Sequence, residues 1–264
     1  MNGLNILSAE GAMLILRQLS TGESKFKDLN EVVKNTRTLT KRLKELQAVG
    51  LLQKVGAHYR ITDEGFDLLI QALDVGWKSK VRGTNEGEFA KIRYRWMEVS
   101  LRRLVELFFE VFGEQLISVV LYGSLVKDAF EVGRSDVDLL YIIEDGAGNV
   151  WKWEEEVFKR FKLSWEYRAC DYWLKMRGFY GYPEVTVAGL RRSYAQVFQP
   201  MYLDMLLHRA VLYDKEGFFE RLLQKLQKEL RGLGAVRVEY ADGAWCWVLK
   251  RDLAPGELIT IDLR

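Results

Sequence analysis

The sequence predicts an α+β fold in about two domains, and three observations carry that expectation. The N-terminal stretch strings together short segments with apolar residues at helical spacing and ends on a hairpin signal. The middle holds two β-branched apolar runs, which read as buried strands of a mixed sheet, with helix-period runs on either side. The C-terminal stretch carries an amphipathic helix and a second hairpin signal. With 264 residues, 48% of them hydrophobic, the chain is long enough to bury real cores. The expected divisions are residues 1–76, 77–115, 116–214 and 215–264.

Residues 9–19 have the apolar spacing of a first helix, and Phe26, Leu29, Val32 and Val33 mark a short second one. Leu39, Leu43 and Leu46 fall at i, i+4 and i+7, which makes a third. Residues 51–55, the turn Gly56-Ala57-His58 and residues 59–61 read as a two-stranded hairpin, after which Thr62 caps a fourth helix running to about Leu73. A polar, glycine-containing stretch at 79–88 reads as a hinge, and the amphipathic run 89–112 as a long connecting helix. Residues 116–122 make the first buried strand. A helix is expected from just after Ser124 to Phe130, a turn at Gly133-Arg134-Ser135, and a second strand over 136–144. Residues 151–176 read as one long helix, 182–188 as an alternating strand, 210–214 as a short strand and 218–230 as an amphipathic helix. Residues 236–240 and 245–249 flank Asp242-Gly243 as a closing hairpin.

Composition narrows the chemistry. His58 and His208 are the only histidines, which argues against a Ser-His-Asp hydrolase or a histidine-rich metal site. Cys170 and Cys246 lie far apart without a Cys-x-x-Cys spacing, so free thiols are expected. No apolar stretch approaches the roughly 20 residues of a membrane span, and no signal-peptide pattern opens the chain, so a cytoplasmic protein without membrane contact is expected. Trp151, Trp153, Trp165 and Trp173 are interleaved with Lys and Arg; core packing is preferred over base stacking as their use.

Carboxylate chemistry is what remains, and residues 117–143 concentrate it. Side chains two apart on a strand share a face, so Asp136 and Asp138 converge while Val137 and Leu139 turn to the core. Two hard anionic ligands on one face suit Mg²⁺. Gly123 lets backbone approach a ligand, and helix-starting amides after Ser124 suit phosphate. Tyr122-Gly123-Ser124, eleven residues and then Asp136-Val137-Asp138-Leu139 resemble the DNA polymerase beta-like nucleotidyltransferases. Where minimal members of that family carry Arg-Gly soon after the Gly-Ser, this chain has Lys127-Asp128.

The resemblance implies a mixed sheet with helices and transfer of a nucleoside monophosphate, AMP from ATP in the first instance, to an acceptor hydroxyl. It further implies two Mg²⁺ ions held by carboxylates, with Gly123, Ser124 and Ser135 at the nucleotide. A third carboxylate from a later strand is expected as catalytic residue and metal ligand beside Asp136 and Asp138; Glu184 is preferred over Asp171 and Asp204.

The N-terminal succession of helices, hairpin and helix resembles a winged helix-turn-helix domain, above all in Leu39-Thr40-Lys41-Arg42-Leu43-Lys44-Glu45-Leu46 and the following Gly50-Leu51-Leu52. Over residues 25–60 nine Lys and Arg oppose three acids, a balance of +6 against +2 for the whole chain. Arg37, Thr38, Lys41 and Lys44 are expected to face the major groove of double-stranded DNA, with Lys54, His58 and Arg60 on the wing. The expectation is thus a Mg²⁺-dependent nucleotidyltransferase fused to a DNA-binding module, a homodimer being compatible with that module. By analogy with minimal members that modify a partner toxin, a toxin protein is one candidate acceptor and self-regulated expression one role, with protein, RNA and small-molecule acceptors all left open. The alternative is a winged-helix regulator whose catalytically weak transferase fold serves as nucleotide sensor or dimerisation platform.

Overall fold

The structure, a computed structural model, describes residues 7–76, 83–241, 245–254 and 256–264. The fold is mixed α+β. The N-terminal module contains α1 (Ala12–Leu19), β1 (Ser24–Lys25), α2 (Phe26–Val33), α3 (Thr36–Ala48), β2 (Leu52–Val55), β3 (His58–Ile61) and α4 (Asp63–Gly76). Helix α3 starts where the Asn35 side chain accepts the Thr38 amide at 3.0 Å. It buries Leu39, Leu43 and Leu46, the three leucines whose spacing predicts it. Thr62 accepts the Gly65 amide at 3.1 Å and caps α4. The wing is three-stranded, in the order β1-β3-β2, with Ser24 opposite Tyr59. The hairpin expectation omits β1, since a two-residue strand has no period to read.

The expected hinge at 79–88 falls partly outside the described residues. From Thr84 the chain lies along β7 (Ala210–Asp214): Thr84 bridges Tyr213, and the Asn85 amide donates to the Leu212 carbonyl at 3.0 Å. A short α5 (Glu86–Phe89) lies at the end of the expected hinge, turns follow at Lys91 and Ile92, and the helix expected over 89–112 begins only at Arg95, as α6 (Arg95–Phe112). Helix α6 buries a tied pair, Glu98 and Arg102, at 2.9 Å.

The sheet runs β6-β5-β4-β7, where β4 is Leu116–Tyr122, β5 Val137–Ile143 and β6 Val185–Arg191. Strand β4 is antiparallel to β5 and β7, and β6 is parallel to β5. Val119, Leu121, Val137, Leu139 and Tyr141 face α6, α7 (Val150–Leu163) and α8 (Trp165–Met176). Val120, Leu140 and Ile142 face α10 (Met201–Met205) and α11 (Phe218–Gly232), after the short α9 (Arg192–Ala195). The long helix expected over 151–176 is broken at Ser164, whose extended backbone and hydroxyl start α8 by accepting the Tyr167 amide at 3.3 Å. The closing hairpin is β8 (Val236–Glu239) with β9 (Trp245–Val248); its expected turn at 242–243 lies outside the described residues.

One core runs from the N-terminal module through α6 into the sheet. Trp173 stacks on Phe66 at 4.9 Å and donates its indole N–H to Asp63 at 3.1 Å. Trp165 donates to the Arg17 carbonyl at 3.1 Å, and the Arg17 guanidinium lies 4.9 Å above its ring. Trp153 meets Phe112 edge-on at 5.4 Å, whereas Trp151 is exposed. Among the described residues no helix is long and apolar enough to cross a membrane.

Candidate functional site

Strand β4 ends at Tyr122, and Gly123 turns the chain with a φ of +77°. The chain then makes a single 3₁₀ turn, Gly123–Val126, rather than the expected helix to Phe130, because Asp128 takes a left-handed conformation and ends it. The turn still leaves its leading amides without partners inside it. Asp138, opposite Tyr122 on β5, lays its carboxylate directly over Gly123: a Cβ there would lie 2.1 Å from Asp138 Oδ2. Glycine is therefore required at 123 by backbone and by neighbour alike.

Burial, first, and the Asp136 charge, second, push the Asp138 carboxyl above the ordinary carboxylate range; Lys127 opposes them and Asp204 adds to them. Asp136 is more exposed than Asp138. Lys127 and Asp204 form an ion pair at 2.6 Å beside these acids, and the Lys127 ammonium lies 5.7 Å from the Trp245 ring of β9. Asp136, Asp138, Asp204 and Lys127 thus share one electrostatic neighbourhood at the glycine turn.

The preferred third acid is not part of it. Glu184 lies exposed just before β6, offering its carbonyl to the Val137 amide at 2.8 Å. The parallel register sets Thr186, a neutral side chain, opposite Asp138. Asp171 is structural, accepting the Tyr182 amide at 3.0 Å and Lys175 at 2.7 Å. Asp204, ranked below Glu184 on sequence, is the candidate whose charge Asp138 feels. Among the described residues no group of three His, Cys, Asp or Glu side chains is arranged to hold a metal ion. Ser124 begins the turn, whereas the Ser135 hydroxyl accepts the Glu131 amide at 3.0 Å and so organises the loop ahead of Asp136.

The two carboxylates still fit one hard cation. Their mutual repulsion is an electrostatic cost that a cation relieves, and Mg²⁺ is commonly held by one or two carboxylates with phosphate oxygens completing the shell. Asp136 and Asp138 would be its protein ligands. Lys127 follows the turn directly in sequence, whereas no sequence signal assigns Trp245 to the site, because only the tertiary fold brings β9 to the turn.

On the N-terminal module, Arg37, Lys41 and Lys44 are exposed along α3, with Lys41 4.0 Å from Glu45. Thr38 is half-buried, and its amide belongs to the Asn35 cap. Lys54 is exposed on the wing and stands 5.8 Å from the Tyr59 ring. Arg60 departs from expectation: it is paired with Glu23, its Nε 2.8 Å away, and Tyr172 of α8 also acts on its guanidinium, so it ties the wing to the rest of the chain.

Residues 6–75 match a family model described as HxlR-like helix-turn-helix. The N-terminal module is accordingly a DNA-binding helix-turn-helix. Comparison with curated proteins finds none that matches. Among solved structures, a chain of the "Crystal structure of the toxin-antitoxin with AMP-PNP" is similar at 14% identity, covering 49% of this chain and 91% of that one, with a TM-score of 0.28. At that score the likeness defines no shared fold.

Proposed function

We propose that the chain is a DNA-binding regulator whose second module takes a nucleoside triphosphate with Mg²⁺ and transfers its nucleotidyl group to an acceptor hydroxyl, pyrophosphate leaving. The observation that carries this reading is the Gly123 turn folded beneath the Asp138 carboxylate, which sets acids and phosphate donors side by side. Asp136 and Asp138 would hold Mg²⁺, which when bound would supply charge neutralisation at the reacting phosphorus. The turn amides and the Ser124 hydroxyl donate to phosphate oxygens and orient them. Lys127 exchanges its Asp204 partner for phosphate and offsets charge that develops on the leaving group. Arg37, Lys41 and Lys44 of α3 face the duplex.

Incubation with labelled ATP, Mg²⁺ and candidate acceptors tests the transfer. Metal-dependent pyrophosphate release that Asp136→Ala and Asp138→Ala abolish is expected; neither turnover nor metal-dependent nucleotide binding would remove the reading.

A second reading, nucleotide sensing without transfer, is favoured by Thr186, whose neutral side chain occupies the place beside Asp138. It predicts that Mg²⁺-ATP changes DNA affinity while no pyrophosphate is released.

A further inference from the structure

A cavity of about 690 Å³ opens between the two modules, away from the glycine turn. Its walls come from α4 (Asp67 and Ile70), from the segment leading into α6 (Arg93 to Trp96), from α8 and its end (Trp173 and Arg177), and from the loop residue Val132. That volume is in the range of small-molecule sites, which occur preferentially at domain junctions.

The chemistry of the lining is selective. Arg93, Arg95 and Arg177 line it beside one carboxylate, Asp67; Arg95 stands 3.6 Å from Glu98, and Arg177 is shared with Asp63, so the Arg93 guanidinium is the cation the lining offers a ligand. Arg177 is positioned on both sides of the junction, its guanidinium 4.6 Å over the Trp173 ring and 3.5 Å from Asp63 of α4. Arg93 is exposed and, among the described residues, has no carboxylate within ion-pair distance. Trp96 and Trp173 are buried in the wall, Trp173 being stacked on Phe66, and Phe179 is the aromatic ring of the lining that stays exposed for a ligand. An unpaired guanidinium beside an exposed ring suits a planar aromatic anion: its ring meets Phe179 while its acid meets Arg93 in a bidentate pair.

We propose that this cavity is an effector site for a planar aromatic anion, an aryl carboxylate or aryl phosphate, and that its occupancy adjusts DNA binding. The coupling comes from placement. A ligand there touches α4 of the DNA-binding module and α8 of the second module at once, so it favours whichever docking of the two suits it best. The site is separate from Asp136 and Asp138 and does not rest on the nucleotidyltransferase reading.

The test uses the full chain and 6-fluoro-2-naphthoate, observed by fluorine NMR, with 6-fluoro-2-naphthyl phosphate as a second arm and the neutral methyl ester as control. Saturable binding of at least one anion is expected, about tenfold weaker for the ester and for Arg93→Gln or Phe179→Ala, and unchanged in Asp136→Ala/Asp138→Ala. Whichever arm binds more tightly identifies the acid. Both substituted residues are exposed, so thermal unfolding of the variants should match wild type. Bound anion should also shift affinity at least threefold for a duplex selected by the protein from a random pool. Absence of saturable binding, binding indifferent to charge and to both substitutions, or binding that leaves DNA affinity unmoved would each overturn the proposal.

Discussion

Gly123→Ala is the substitution on which the geometry of the turn bears most directly. Two costs arise. An L-residue at φ +77° loses about 1–2 kcal/mol relative to glycine. The new methyl would also stand 2.1 Å from Asp138 Oδ2 and 3.0 Å from its Cγ, so the carboxylate has to retreat by about 1 Å. The first cost lowers the unfolding midpoint by about 2–8 °C, since each kcal/mol is worth about 2–4 °C in a chain of this size class. The second displaces a metal ligand, and a misplacement of about 1 Å at a reacting centre costs on the order of a hundredfold. Circular dichroism melting and calorimetric titration with Mg²⁺-ATP read the two separately. Combining Gly123→Ala with Asp138→Ala separates them further: removing the carboxylate removes the clash but not the backbone strain, so the double variant should recover part of the lost stability. An alanine variant that melts and binds nucleotide like wild type would refute both the turn geometry and the site built on it.

Other expectations rest on charge and packing. Burial and Asp136 raise the Asp138 carboxyl, so its contribution to stability is greatest below the ordinary carboxylate pKa and is lost as pH rises through the raised value. Asp138→Asn should therefore melt higher than wild type at pH 7, an advantage that disappears in acid, and wild-type Mg²⁺-nucleotide affinity should fall on acidification at a higher pH than an unperturbed carboxylate would give. Arg37→Glu and Lys41→Glu should weaken DNA binding in mobility shifts and flatten its salt dependence by about one unit for each phosphate no longer neutralised. Arg60→Ala should leave that slope unchanged, because Glu23 already holds the guanidinium. Trp173→Ala removes the stack on Phe66 and should cost about 3–5 kcal/mol in denaturant unfolding, more than any substitution on the exposed face of α3.

Local signals make much of the molecule legible. Leucines at 39, 43 and 46 announce α3, the β-branched run announces β4, and the Asp-x-Asp spacing puts Asp136 and Asp138 near the glycine turn, since each rests on a period or a neighbour close in sequence. The features that escape depend on distant partners. The parallel register that sets Thr186 rather than Glu184 beside Asp138 has no sequence signature, and neither has the approach of Asp204 to Lys127. Strand β1 exists only because β3 pairs with it. The break at Ser164 is within reach, serine being a favoured helix-starting residue, but continuous apolar spacing on both sides conceals it. Trp165 and Trp173 read as core residues; that their core joins two modules is visible only with both partners in place.

That junction has a consequence for how the chain can be dissected. Phe66 and Asp63 of α4 meet Trp173, and Arg17 and Ser20 meet Trp165, so severing the polypeptide after α4 strips a hydrophobic seam rather than freeing an autonomous reading head. The isolated fragment should be sticky and poorly soluble. In the intact molecule that seam is covered, because α4 and α8 supply each other's buried aromatic neighbours.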